Sequence, residues 1–338
     1  MSSEIKSGIS RRGVIGAAAI GWAMPTIGAV AATLPTVPKG DIAITTIGTG
    51  SVVPNTVRYG NSTLIQAGGL NLLIDAGRGC AVRLTQAGMA MGKIDAFFLT
   101  HFHSDHVIGL PDLWMTGYLH PDFGTRNGVM LVNGPVGTTK LCSNMRAAFS
   151  DDIRIREADE KIPDEVTQIK ANEFSTDGVI FEKNGVTVTG FEVNHGALIK
   201  PACGYRVDYN GRSVLVSGDT KFDENLIKHG MGCDVIVHEV AVPSEKLTMS
   251  DQLIMDHHTS AEEAGTVFTR TKPRLAVYSH LVDLLDNQSN EALVKEIVRR
   301  TAKTYKGKVV IPDDLARIEI SATDIKVKKF VEARGTWI

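Results

Sequence analysis

Long hydrophobic runs are missing from this chain. Its apolar stretch near the N-terminus, residues 13–20, is too short to cross a bilayer as a helix. Charge of either sign is also missing in excess. Lys and Arg total 36 against 38 Asp and Glu, a net charge of −2, so no strong basic field invites nucleic acid or an anionic membrane. Cysteine is scarce and unpatterned. Cys80, Cys142, Cys203 and Cys233 show no paired spacing and read as buried small apolar residues, with disulfides not indicated. Gly48-Thr49-Gly50-Ser51 follows a strand-like stretch but lacks the Lys and the spacing of a phosphate-binding loop, which leaves a tight turn. No repeat or low-complexity tract interrupts the chain. What remains is ordinary for a globular protein: 338 residues, 43% hydrophobic and 22% charged, enough for a large core.

The chain is organised around residues 97–106. Phe97, Phe98 and Leu99 close a short buried strand, and His101, His103, Asp105 and His106 follow it directly. An extended backbone points His101 and His103 the same way, and the turn after them aims Asp105 and His106 at a second point nearby. Four such side chains within six positions, mounted on a stiff strand end, are a metal-ligand pattern. Imidazole nitrogen with carboxylate oxygen suits Zn, and also Mn or Fe.

Further potential ligands end other strand-like stretches: His195 after residues 186–193, Asp219 after 213–217, and His280 after 275–278. Strands alternate with helical stretches, so the expected class is α/β with covered sheets. Asp75 closes the second strand of an expected hairpin around Gly68-Gly69. On its own it reads as a turn residue. Trp114, Met115, Tyr118, His120, Phe123 and Arg126 either wall a pocket for an aryl group or pack a helix. Residues 150–177 read as acidic, irregular and solvated. Ser260 is a candidate N-cap, with Glu262 and Glu263 in the first helical turn.

The N-terminus has its own pattern. Ser10-Arg11-Arg12 precedes an apolar run and then Ala29-Val30-Ala31, the order of basic, apolar and small residues in an export signal. The adjacent arginines resemble the twin-arginine signal, which carries folded proteins and would suit an enzyme that takes up metal before export. The expected organisation is a signal over residues 1–31, a linker over 32–40, and one domain over 41–338. The expected location is periplasmic or secreted.

His101-x-His103-x-Asp105-His106 followed by Gly109-Leu110-Pro111-Asp112 resembles the metallo-β-lactamase-fold hydrolases, in the branch that holds ribonuclease Z and its arylsulfatase-like relatives. Tyr59-Gly60-Asn61-Ser62, Gly204-Tyr205-Arg206-Val207-Asp208-Tyr209 and Tyr278-Ser279-His280 extend the likeness. The resemblance implies an αββα sandwich of two mixed sheets flanked by helices, with two divalent metals, zinc first, at one sheet edge. His101, His103 and His195 would hold one metal. Asp105, His106 and His280 would hold the other, and Asp219 would bridge them. A water between the metals would be the nucleophile. His258 would act as acid or oxyanion donor, oriented by Glu239, with Asp105 also in the catalytic set; a structural role for His258 and Glu239 stays open.

Ribonuclease Z grips its RNA with a basic arm, and nothing in this chain resembles one. The expected function is therefore an exported hydrolase of small sulfate or phosphate esters, with a cyclic-nucleotide phosphodiesterase or a lactonase next. A β-lactamase, an RNA endonuclease and a non-catalytic metal binder rank behind. The expected partner is a small ester, with no nucleic acid, no membrane span and a homodimer left open.

Overall fold

The computed structural model describes residues 33–119, 124–285 and 289–338. The arginine pair and the alanine cleavage motif lie outside the described residues, as do His120 and Phe123.

The chain lays down one sheet, then a second, then returns to the first. β1 (Ile42–Gly48), β2 (Ser62–Ala67), β3 (Leu70–Ile74), β4 (Ala96–Phe98), β5 (Met130–Pro135) and β6 (Ile169–Phe174) run in order across sheet one. Sheet two follows: β7 (Gly178–Lys183), β8 (Val186–Glu192), β9 (Cys203–Tyr209), β10 (Arg212–Val216), β11 (Val235–Pro243), β12 (Leu275–Leu284) and β13 (Val309–Val310). β14 (Arg317–Ile320) and β15 (Ile325–Lys328) then pair beyond β1 and complete sheet one. A last hairpin, β16 (Phe330–Val331) with β17 (Thr336–Trp337), packs Trp337 against the outer face of that sheet.

Period-two alternation builds the layers. Ile42, Ile44, Leu72, Ile74 and Phe98 face inward and meet Val188, Tyr205, Val207, Val214 and Val237 of sheet two. The Phe98 ring stands edge-on to Tyr205 at 5.5 Å. Phe97 and Leu99 point the other way, into a helix layer made by α1 (Cys80–Gln86), α3 (Leu110–Gly117), α4 (Thr138–Ala148) and α5 (Ser150–Asp159). A four-residue α2 (Ser104–Val107) precedes α3, and α6 (Asp164–Thr167) leads into β6. Sheet two is covered by α7 (Glu224–Gly230), α9 (Ala261–Thr271) and α10 (Asn290–Thr301), through Leu226, Phe268 and Ile297 among others. The short α8 (Met249–Met255) buries none of its residues. The architecture is an αββα sandwich of two mixed sheets, and no described helix is long and apolar enough to cross a membrane.

Local chemistry places the turns and caps as expected in several places. Gly68 and Gly69 both adopt positive φ, 59° and 76°, as a two-residue turn between β2 and β3 requires. Ser260 caps α9 in a reciprocal box with Glu263. Residues 150–177 depart from the irregular, solvated expectation. α5 spans ten of them, with Arg156 paired to Asp152 at 3.0 Å and to Glu160 at 2.6 Å, one turn away on either side. The helix is held by these pairs and by a single buried side chain, Ile153, so no apolar stripe announced it.

Both sheets point their parallel strands at one edge. β3, β4, β5 and β6 are parallel, and so are β10, β11 and β12. β8 is antiparallel to β9, which is antiparallel to β10, so β8 runs with β10 to β12. The carboxyl ends of β3, β4, β8, β10, β11 and β12 are the places where chemistry-bearing residues collect, as in other open α/β sheets.

Candidate metal centre

The side chains of the centre follow strand ends, except His280, which sits inside β12 where its pairing with β11 is interrupted. β4 ends at Phe98, and the extended residues after it carry His101 and His103. His103 opens α2, whose single turn presents Asp105 and His106. β8 delivers His195, β10 delivers Asp219 and β12 carries His280. All of them are buried except His103, which is half-buried.

The expected ligand residues converge. His101, His103, His195 and Asp219 each offer a donor atom within 4.8 Å of the others, and so do Asp105, His106 and His280. His101 Nε2 lies 2.9 Å from His103 Nδ1, and His195 Nε2 lies 3.4 Å from the same atom. Asp219 Oδ2 sits among four imidazoles: 3.3 Å from His106 Nε2 and His280 Nε2, 3.8 Å from His195 Nε2 and 3.9 Å from His101 Nε2. His280 Nε2 is 3.2 Å from Asp105 Oδ2. One carboxylate therefore stands between two groups of donors.

Outer hydrogen bonds fix which ring nitrogen faces inward. His195 Nδ1 is 2.7 Å from the carbonyl of His257, which can only accept, so Nδ1 donates and Nε2 keeps its lone pair. His106 Nδ1 likewise donates to Asp75 Oδ2 at 2.7 Å. Thr100 Oγ1 bonds Asp75 at 2.9 Å and accepts from His101 Nδ1 at 3.1 Å. Asp75 and His280 both hold positive φ, 60° and 47°, which non-glycine residues adopt at a cost of about 1–3 kcal/mol and mostly at functional sites.

The electrostatics match a cation site. Burial pushes His101 well below the usual histidine range, and lowers His195 to about 3. These imidazoles are neutral, as ligands must be. Burial opposes charging of His106 too, but Asp219 and Asp75 outweigh it and hold its pKa well above the ordinary value. Burial also opposes the Asp219 carboxylate, and His106 and His280 overcome it. His106 Nε2 and Asp219 Oδ1 are buried without a hydrogen-bond partner among the described residues. Buried donors aimed at one volume with nothing to bond are costly unless a cation satisfies them. Five imidazoles and two carboxylates fit a pair of divalent metals of the zinc type.

His258 borders the same volume: with Asp219 and His280 it forms a third group of donors within 4.8 Å. Its Nδ1 donates to Glu239 Oε1 at 3.0 Å. Burial opposes its charge, yet Glu239 raises its pKa to about 9. Glu239 is itself fixed by the backbone N–H groups of Thr220 and Thr259, both at 3.1 Å.

One open alternative is decided here. Trp114 is fully buried and stacks edge-on with Tyr118 at 6.0 Å and Phe149 at 6.3 Å. Trp114 and Tyr118 therefore take the helix-packing alternative. Other contributors were not foreseen. The His257 carbonyl orients His195, but a backbone acceptor carries no side-chain signal. Thr100 and Asn61 both touch Asp75, and only the position of Thr100 beside the histidine run could have flagged it.

The family described as anti-Pycsar protein Apyc1 matches residues 42–291. Ribonuclease Z of Mycolicibacterium gilvum is 31% identical over 286 residues, covering 82% of this chain and 96% of that protein. Ribonuclease Z of Mycolicibacterium paratuberculosis is 32% identical over 288 residues, covering 83% and 99%. Among solved structures, the metallo-β-lactamase-fold protein YhfI of Bacillus subtilis aligns with a TM-score of 0.64 at 18% identity, covering 82% of this chain and 99% of that one. Human short-form tRNase Z aligns with a TM-score of 0.62 at 19% identity, with the same coverage. These two structural likenesses speak to the fold.

The comparisons overturn two expectations. An exported hydrolase of small sulfate or phosphate esters is not what the curated relatives point to: they are named ribonuclease Z. The expectation that nucleic acid is not a partner falls with it. Both rested on a net charge of −2 and on the missing basic arm. Net charge sums the whole surface, whereas a phosphodiester meets only the local field at the site.

Proposed function

The chain belongs to the metallo-β-lactamase-fold hydrolases, in the family it shares with ribonuclease Z, and from that premise we propose that it cleaves phosphodiester bonds of RNA with two zinc ions. It is a metal-dependent hydrolase of ester bonds, like its relatives; the RNA substrate and the zinc are the proposal. One observation carries it: six donor side chains from distant points of the chain close around the shared Asp219 carboxylate, with His258 beside them.

In this reading His101, His103 and His195 would hold one ion, Asp105, His106 and His280 would hold the other, and Asp219 would serve both. The ions would supply Lewis acidity toward phosphoryl oxygens, lower the pKa of a bound water and offset the charge of the two carboxylates. His101 and His195 stay neutral through burial, and the His257 carbonyl keeps His195 turned toward the centre. Asp75 does the same for His106.

Glu239, facing Nδ1, favours the protonated form of His258. Its second ring nitrogen delivers that proton to the leaving oxygen or bonds a phosphoryl oxygen as negative charge grows there, worth roughly 10²–10⁴ in rate for a positioned acid. Glu239 cannot drift, since two backbone N–H groups bind the oxygen that faces His258.

The test is direct. Metal-loaded protein is incubated with a precursor tRNA, an unstructured RNA and a bis-aryl phosphate. Cleavage of RNA at rates above the aryl ester supports the reading, and intact RNA with protein that carries two ions per chain overturns it. The arginine-pair leader adds a separate proposal, export as a folded enzyme. Cell fractionation that leaves the full-length chain in the cytosol would contradict that part alone.

A further inference from the structure

The second ligand group, Asp105–His106–His280, is divided between the sheets. Asp105 and His106 hang from the loop after β4 in sheet one, and His280 belongs to β12 in sheet two. Their donors must stay within a few ångströms although they hang from different sheets. We infer that Asn61 is a positioning residue that locks these two mounts together and thereby sets the affinity of the second ion. The inference rests on the two-metal reading of the site.

The side-chain amide of Asn61 spans the gap. Its Nδ2 donates to Asp75 Oδ2 at 3.3 Å, the same oxygen that accepts from His106 Nδ1. Its Oδ1 accepts from Ser279 Oγ at 3.0 Å, one residue before His280 and 218 positions away in sequence. Asn61, Asp75 and Ser279 are all at least 95% buried. One amide is required for this: it presents a donor to the carboxylate and an acceptor to the hydroxyl at once. An aspartate would set two carboxylates against each other, and an alanine would leave the Ser279 hydroxyl buried and unpaired.

The segment that carries Asn61 is clamped at several points. Gly77 N–H donates to the Asn61 carbonyl at 3.0 Å, and the Gly60 and Gly77 backbones approach so closely that a Cβ on Gly77 would lie 2.3 Å from the Gly60 carbonyl carbon. On the other side, Leu281 N–H donates to the Thr49 carbonyl at 3.0 Å, just after His280. Asp314 accepts from the backbone N–H of Thr49 at 2.9 Å and of Tyr59 at 2.7 Å. Residues 49–61 therefore staple sheet one to sheet two at the edge where the ligands lie. By contrast, no hydrogen bond joins Asn61 to His101, His103 or His195 among the described residues, and Asp75 reaches His101 only through Thr100, so the first group should be affected far less.

The experiment titrates metal-free protein with zinc in competition with a chromophoric chelator, and follows thermal unfolding of the metal-free form. Asn61→Ala should weaken one of the two zinc equivalents by roughly 10- to 100-fold and leave the other within about threefold of wild type. Ser279→Ala should weaken the same equivalent by less, Ser279→Thr should restore it, and the Asn61→Ala/Ser279→Ala pair should be less than additive. Two equivalents that bind as in wild type would overturn the inference. So would equal weakening of both equivalents alongside a lower unfolding temperature of the metal-free protein, the mark of a merely structural role. If Asn61→Ala does not fold, the Ser279 pair of variants gives the same reading. None of these measurements involves RNA. Wild-type protein that binds fewer than two ions would remove the two-metal reading and this inference with it, whereas RNA left uncut by a two-ion protein would remove the substrate alone.

Discussion

The two sheets build the centre in different ways. Sheet one contributes His101, His103, Asp105 and His106 from one stretch of six residues, and supports them with neighbours: Thr100 in the same loop and Asp75 at the adjacent strand end. Sheet two contributes His195, Asp219 and His280, one from each of three strands, supported by a backbone carbonyl from 62 positions away in the case of His195. Sheet one's half is locally encoded. Sheet two's half exists only once the strands are in register, because a one-residue slip would turn each ligand to the opposite face. The comparison says that binding capacity begins in sheet one and that closure of the site depends on sheet two.

The sharpest way to break that contrast is Asp219→Ala, which removes the carboxylate that faces four imidazoles. Turnover should fall by at least about 10³-fold, about 4 kcal/mol of transition-state stabilisation, with at least one ion lost on dialysis. Steady-state kinetics and elemental analysis of the same sample check both. His258→Ala comes next: a rate loss of about 10²-fold with metal content unchanged, since this side chain acts on the substrate's oxygen and not on the ions. A drop in metal content would make His258 a ligand instead.

Asp75→Asn keeps the shape but removes the charge that faces His106 Nδ1 and Thr100. Metal affinity should weaken by roughly 10- to 100-fold while the fold, followed by circular dichroism, is retained. At the small end, Arg156→Ala breaks two exposed pairs on α5, far from either half of the site. Its stability cost in urea should stay within about 1 kcal/mol, with no change in zinc affinity or turnover. A large effect there would mean that the helix layer of sheet one sets the site, contrary to the account.

Legibility in the sequence follows the same division. The histidine run was plain because its members are consecutive and sit just after a buried strand. Asp219 and His280 could be placed because each ends a short apolar stretch; the α/β class with covered sheets followed from the alternation of strands with helices, and the two mixed sheets from the family resemblance. The supports of sheet two could not be read. The His257 carbonyl belongs to no side chain, and the Asn61–Ser279 bond joins residues 218 apart with no local pattern between them. α5 escaped because its ion pairs, not an apolar stripe, hold it. Substrate was misread because charge was summed over the chain, while the decisive charge sits in one buried group of donors.

The central claim is that this constellation holds two cations at once. Elemental analysis of purified wild-type protein after exhaustive dialysis against metal-free buffer measures it directly, with zinc added back in steps while RNA cleavage is followed. The account predicts two ions per chain and full activity only when both are bound. One ion per chain with full activity, or activity in protein stripped of metal, would contradict it.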